Sequence, residues 1–96
     1  MDLDIDLGEE AVFECVVADS TDICVSWSKN KNLLLNSGRY KIWSSDRSFF
    51  LKIGAVTMED ESLYEYVVRN KHGEVKGDVQ LLVNGEFVFS LGIDGK

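Results

Sequence analysis

The stretch EDESLYEYVVRN, Glu59–Asn70, decides how the rest of this 96-residue chain is read. It opens on the acidic turn Glu59, Asp60, Glu61 and then sets Tyr64, Tyr66 and Val68 at every second position. A period of two belongs to an extended strand with one face on a core, because successive side chains point to opposite faces. The NKHG that follows, Asn70–Gly73, has the composition of a tight connection between antiparallel strands. Val79, Leu81 and Val83 resume the alternation beyond it.

The same period runs back to the N-terminus. Leu3, Ile5 and Leu7 alternate with Asp2, Asp4 and Asp6; Ala11, Phe13, Cys15 and Val17 alternate with Val12, Glu14 and Val16. Val25 and Trp27 share the inward face of ICVSWSK, with Cys24 out of phase. A short apolar run, Leu33–Leu35, lies between NKN and NSG, and then Tyr40 and Ile42, and Phe49, Leu51 and Ile53, alternate in turn. No segment sustains helical spacing, so the chain reads as all-β. Short strands with turn signals about every 8 to 12 residues predict a two-sheet sandwich. Residues 1–84 read as one domain; the closing NGEFVFSLGIDGK, with Phe87, Phe89, Leu91 and Ile93 alternating, places a C-terminal extension or linker at 85–96.

The bulk numbers fit one core. At this length folding buries about 60 to 68% of the unfolded chain's surface, enough for a single compact domain. Seventeen acidic residues against ten basic ones give a net charge of -7, which argues against nucleic acid, whose binding rests on clustered lysine and arginine. No window reaches the ~18 apolar residues of a membrane span, and the N-terminus lacks the basic start and apolar run of a secretion signal. We therefore expect neither nucleic acid nor membrane as a partner.

Taken in order, FEC at Cys15, VSWSK at Trp27, GRYKI from Gly38, FLKIGAV with Leu51, DESLYEY and NKHGE resemble an immunoglobulin domain of the intermediate set, over residues 3–84. The resemblance implies a two-sheet antiparallel sandwich with Greek-key connections and a structural core of Cys15, Trp27, Leu51, Asp60, Tyr64 and Tyr66. Cys15 resembles the cysteine of the second strand, and Trp27 the tryptophan buried between the sheets. Tyr64 resembles the corner tyrosine whose hydroxyl bonds nearby backbone. Asp60 resembles the aspartate of that turn, with Arg39 as its ionic partner. Two departures stand out: Tyr66 occupies the position of the family's second cysteine, so the intersheet bridge cannot form, and Ser62 stands where glycine is usual. The ~2 to 5 kcal/mol that a native bridge commonly supplies must come from packing, and we expect the Tyr66 ring against Cys15 and Trp27.

Cys24 is out of phase with the core, so a Cys15–Cys24 bridge is not expected and both thiols should be free. The chain also holds no Asn-x-Ser or Asn-x-Thr acceptor. Both features favour a reducing compartment. Among intermediate-set domains, the resemblance then points to the intracellular muscle group of titin, obscurin, myomesin, myosin-binding protein C and myosin light chain kinase. It implies a non-catalytic scaffold, spacer and docking module in the cytoplasm, in the sarcomere or cytoskeleton. The partners it implies are myofilament or giant sarcomeric proteins, with immunoglobulin or fibronectin-type neighbours. The rival reading is an extracellular adhesion or receptor domain that has lost its bridge.

For chemistry the chain offers little. His72 is the sole histidine and falls in a predicted turn, so no catalytic triad can be built. The carboxylate runs at Asp2–Asp6 and Glu59–Glu61 lack the spacing and glycine of a calcium loop, and no cofactor is implied. The candidate partner surface is outward and aromatic: Trp43 and Phe50 become neighbours if RYKIW pairs with SFFLKI, and tryptophan is enriched among interface anchors.

Overall fold

The structure, a computed structural model, describes residues 2–19 and 21–85. Eight strands follow one another: β1 Asp2–Asp6, β2 Ala11–Val16, β3 Cys24–Lys29, β4 Asn32–Leu33, β5 Tyr40–Ser45, β6 Ser48–Ile53, β7 Ser62–Asn70 and β8 Gly73–Asn84. They form two sheets, one ordered β1-β8-β7-β3-β4 and the other β2-β6-β5. All pairs are antiparallel except β1 with β8, which run parallel from Asp2 opposite Gln80 to Asp6 opposite Asn84. Val67, Val68 and their neighbours hold β7 in register with both β3 and β8, so β7 is the centre of the larger sheet. Most of the segment assigned to residues 85–96, Glu86 onward, lies outside the described residues.

Alternation translates directly into burial. Along β2, Ala11, Phe13 and Cys15 are buried while Val12, Glu14 and Val16 are exposed. Phe13 carries the contact between sheets: its ring lies 5.2 Å from that of Tyr64 and 6.3 Å from that of Trp27, both on the opposing sheet. Leu51, Ile53, Val56, Leu81 and Val83 complete the core. Side chains of this size each contribute about 1.5 to 3 kcal/mol when fully buried. The run Leu33–Leu35 is less of a strand than its composition suggests. Only Asn32–Leu33 pairs with β3, and Leu33 and Leu35 stay exposed while Leu34 turns inward.

The acidic turn is a single 3₁₀ turn, Met58–Asp60, capped by Thr57. Asp60 is buried, and its Oδ2 accepts from the Thr57 N–H at 2.7 Å, from the Thr57 hydroxyl, and from the Arg39 guanidinium. The buried Tyr64 hydroxyl donates to the Asp60 carbonyl at 2.7 Å. Arg39 in turn donates to the Gly54 carbonyl at 3.2 Å, so one cluster ties β7, the turn and the loop after β6 together. Burial alone would raise the Asp60 carboxyl. The Arg39 hydrogen bond, the Thr57 N–H and the charges of Arg39 and Lys29 outweigh burial and hold it below the usual carboxylate range.

Candidate functional site

The outer face of the three-stranded sheet is built by β2, β6 and β5. Strands β5 and β6 are joined through Asp46 and Arg47, with Asp46 at φ 56 supplying the left-handed turn geometry that aspartate tolerates. Their register sets Trp43 opposite Phe50, and the two rings stack at 4.8 Å with 15° between planes. Trp43 remains 41% exposed, although stacking on Phe50 already covers one of its faces. Lys41 and Lys52 face each other one step along the same strands, and Lys52 reaches Glu10 at 3.4 Å. Glu14, opposite Phe50 on β2, accepts from the Ser48 hydroxyl at 2.7 Å. The result is a rigid aromatic plate framed by charged groups, a shape suited to gripping another protein's apolar side chain.

The other residues singled out from sequence lie elsewhere. Cys15, Trp27, Leu51, Asp60 and Tyr64 are buried, and Tyr66 is half-buried. Tyr66 stands opposite Trp27 across β3 and β7, and the rings are 5.7 Å apart at 58°. Opposite Tyr66 on the other side is Gly77, over which the ring extends. Cys15 is buried and Cys24 exposed, and both are free thiols. Burial pushes the Cys15 thiol up. Cys24 stands opposite Arg69, but that guanidinium is already held by Glu74 at 2.8 Å. His72 is exposed on the β7–β8 turn, and among the described residues no group of three or more His, Cys, Asp or Glu could hold a metal ion.

Two features escape a reading by period alone. Asn36 uses its side-chain amide as a strand surrogate, donating to the Ile42 carbonyl at 3.1 Å and accepting from the Ile42 N–H at 2.8 Å. Among the described residues, buried Trp27 Nε1 has no hydrogen-bond partner.

Comparison with known proteins agrees with this fold. The family described as immunoglobulin I-set domain matches residues 1–83. Contactin-2 of Rattus norvegicus is 27% identical over 82 residues, which is 85% of this chain and 8% of that protein. The muscle M-line assembly protein unc-89 of Caenorhabditis elegans is 34% identical over 77 residues, 79% of this chain and 1% of that protein. This chain thus spans a small part of the relatives it matches. Among solved structures, the titin I-band fragment I67-I69 superposes with a TM-score of 0.81 at 27% identity, covering 88% of this chain and 30% of the fragment.

Proposed function

The chain belongs to the immunoglobulin I-set family, and from that membership we propose that it is a non-catalytic spacer and docking module of a multidomain cytoskeletal or sarcomeric protein. The observation that carries the docking role is the stacked, half-exposed Trp43–Phe50 pair on a face that also carries Lys41, Lys52 and Glu14. Truncating one aromatic anchor at the centre of an interface commonly costs about 2 kcal/mol or more of binding. Likeness to unc-89 and to the titin fragment supports the muscle setting. Two free thiols, with Tyr66 in the family's second cysteine position, support a reducing compartment, the cytoplasm. The partners are then myofilament or giant sarcomeric proteins, and the flanking domains are of immunoglobulin or fibronectin type.

The second reading is an extracellular domain of the adhesion-receptor kind, which the likeness to contactin-2 favours. One experiment separates them. Immobilised domain is incubated in parallel with striated-muscle myofibrillar extract and with solubilised neuronal plasma membrane, and the retained proteins are identified. The sarcomeric reading expects retention of filament proteins that Trp43→Ser removes; retention only from the membrane fraction, or retention indifferent to Trp43→Ser, sinks it.

A further inference from the structure

The register of β2, β6 and β5 lays the outer face of their sheet out in rows. Val12, Lys52 and Lys41 stand side by side in one row, Glu14, Phe50 and Trp43 in the next, and Val16, Ser48 and Ser45 in the third. Facing positions of antiparallel strands hold their Cβ atoms about 4.5 to 5.5 Å apart, so side chains within a row act on one another. The aromatic row therefore has a lysine pair on one flank and a serine pair on the other.

Lys41 and Lys52 face each other as like charges, an arrangement that destabilises a sheet. Among the described residues one carboxylate answers the pair, that of Glu10, at 3.4 Å from Lys52. Lys41 is exposed and, among the described residues, takes part in no ion pair. The Glu14 carboxylate is turned the other way, to the Ser48 hydroxyl at 2.7 Å. A local excess of positive charge thus lies beside the stacked rings, two residues from Trp43 along β5 and two from Phe50 along β6.

The whole chain carries a net charge of -7, which at long range favours basic partners. Fields between exposed charges are screened beyond about 8 Å at physiological ionic strength, so a group in contact with this face responds to the lysines beneath it.

We propose that the aromatic plate and the Lys41–Lys52 pair together bind an extended segment of a protein partner in which an apolar side chain and a carboxylate stand two residues apart. Alternate residues of a strand are about 6.6 Å apart, the same repeat that separates Trp43 from Lys41 and Phe50 from Lys52 along their own strands. The apolar side chain lies against the exposed Trp43 ring, and the carboxylate reaches the Lys41 ammonium and relieves its repulsion with Lys52. This inference rests on the docking role proposed above and adds the chemistry of the partner, acidic beside apolar.

The test titrates the domain with the acetylated, amidated peptide Thr-Glu-Thr-Phe-Thr-Glu-Thr and with its counterparts carrying glutamine or lysine for glutamate, read by the two indole N–H resonances. The glutamate peptide should move the Trp43 indole and leave that of Trp27 in place, with a dissociation constant about threefold or more below that of the glutamine peptide and the lysine peptide weakest. Raising the salt concentration should narrow the difference. Lys41→Glu sets opposite charges across β5 and β6, which spares the fold, and should invert the order to favour the lysine peptide. Equal binding of the three peptides, or an unchanged order in Lys41→Glu, overturns the proposal and leaves the plate a purely apolar docking surface. If no peptide moves the Trp43 indole the proposal also falls, and retention from muscle extract with and without Trp43→Ser decides separately whether the docking role falls with it. A Trp43 indole that shifts on dilution of the domain alone overturns it too, by placing a second copy on the plate.

Discussion

The Tyr66 ring extends over Gly77, its cross-strand partner, so closely that a Cβ at position 77 would fall 2.7 Å from ring Cε2 and nearer still to Cζ and the hydroxyl oxygen. The pair explains how the larger sheet admits a tyrosine at a position where the resemblance implies a cysteine. Space for the ring comes from a missing side chain on β8, and Trp27 closes the other side.

Gly77→Ala should therefore destabilise the domain by about 1 to 3 kcal/mol, because the added methyl forces the ring aside. In a Tyr66→Ala background the same change should cost little. A double-mutant cycle by urea unfolding measures this coupling, and additivity of the two changes would show that ring and glycine do not compete for space.

Asp60 has two strong donors and little solvent. Replacing it by Ala leaves the Thr57 N–H and the half-exposed Arg39 without their acceptor, for an expected loss of about 2 to 4 kcal/mol in chemical denaturation. The sign of the pH dependence follows from its lowered pKa. Stability from this carboxylate is complete above its unfolded value of about 4 and is lost as pH falls below that toward the folded value. Between pH 5 and 3 the wild type should lose more stability than Asp60→Asn.

Tyr64→Phe keeps the core ring and deletes one hydrogen bond, leaving the Asp60 carbonyl without its hydroxyl donor. A loss of about 1 to 2 kcal/mol is expected in the same measurement, with the unfolding slope unchanged.

The thiols should separate by burial. A thiol-specific chromogenic reagent should titrate Cys24 alone in the native domain and both cysteines in denaturant, since Cys15 is buried and its thiol pushed up. Adding reductant should leave the unfolding midpoint unchanged.

Much of this architecture was legible because its signals are local. Alternation along Ala11–Val16 became burial residue by residue, and the order of Trp27, Asp60 and Tyr64 along the chain led to the sandwich and its corner. The Trp43–Phe50 contact followed from pairing two adjacent strands. What stayed hidden depends on partners distant in sequence. The parallel run of β1 beside β8 leaves no mark in a period of two. Leu33 and Leu35 are apolar yet exposed, because β4 is a two-residue strand at the edge of its sheet. The Asn36 amide that occupies the edge of β5 at Ile42 likewise leaves no mark in the alternation.

The measurement that bears most directly on the proposed role is calorimetric titration of a filament protein retained from muscle extract. It compares the wild-type domain with a Trp43→Ser, Phe50→Ser variant whose fold is verified by its core aromatic resonances. The account predicts at least a tenfold loss of affinity, about 1.4 kcal/mol or more, on removing the exposed aromatic plate. Equal affinity in the folded variant would contradict it and move the docking surface off this face.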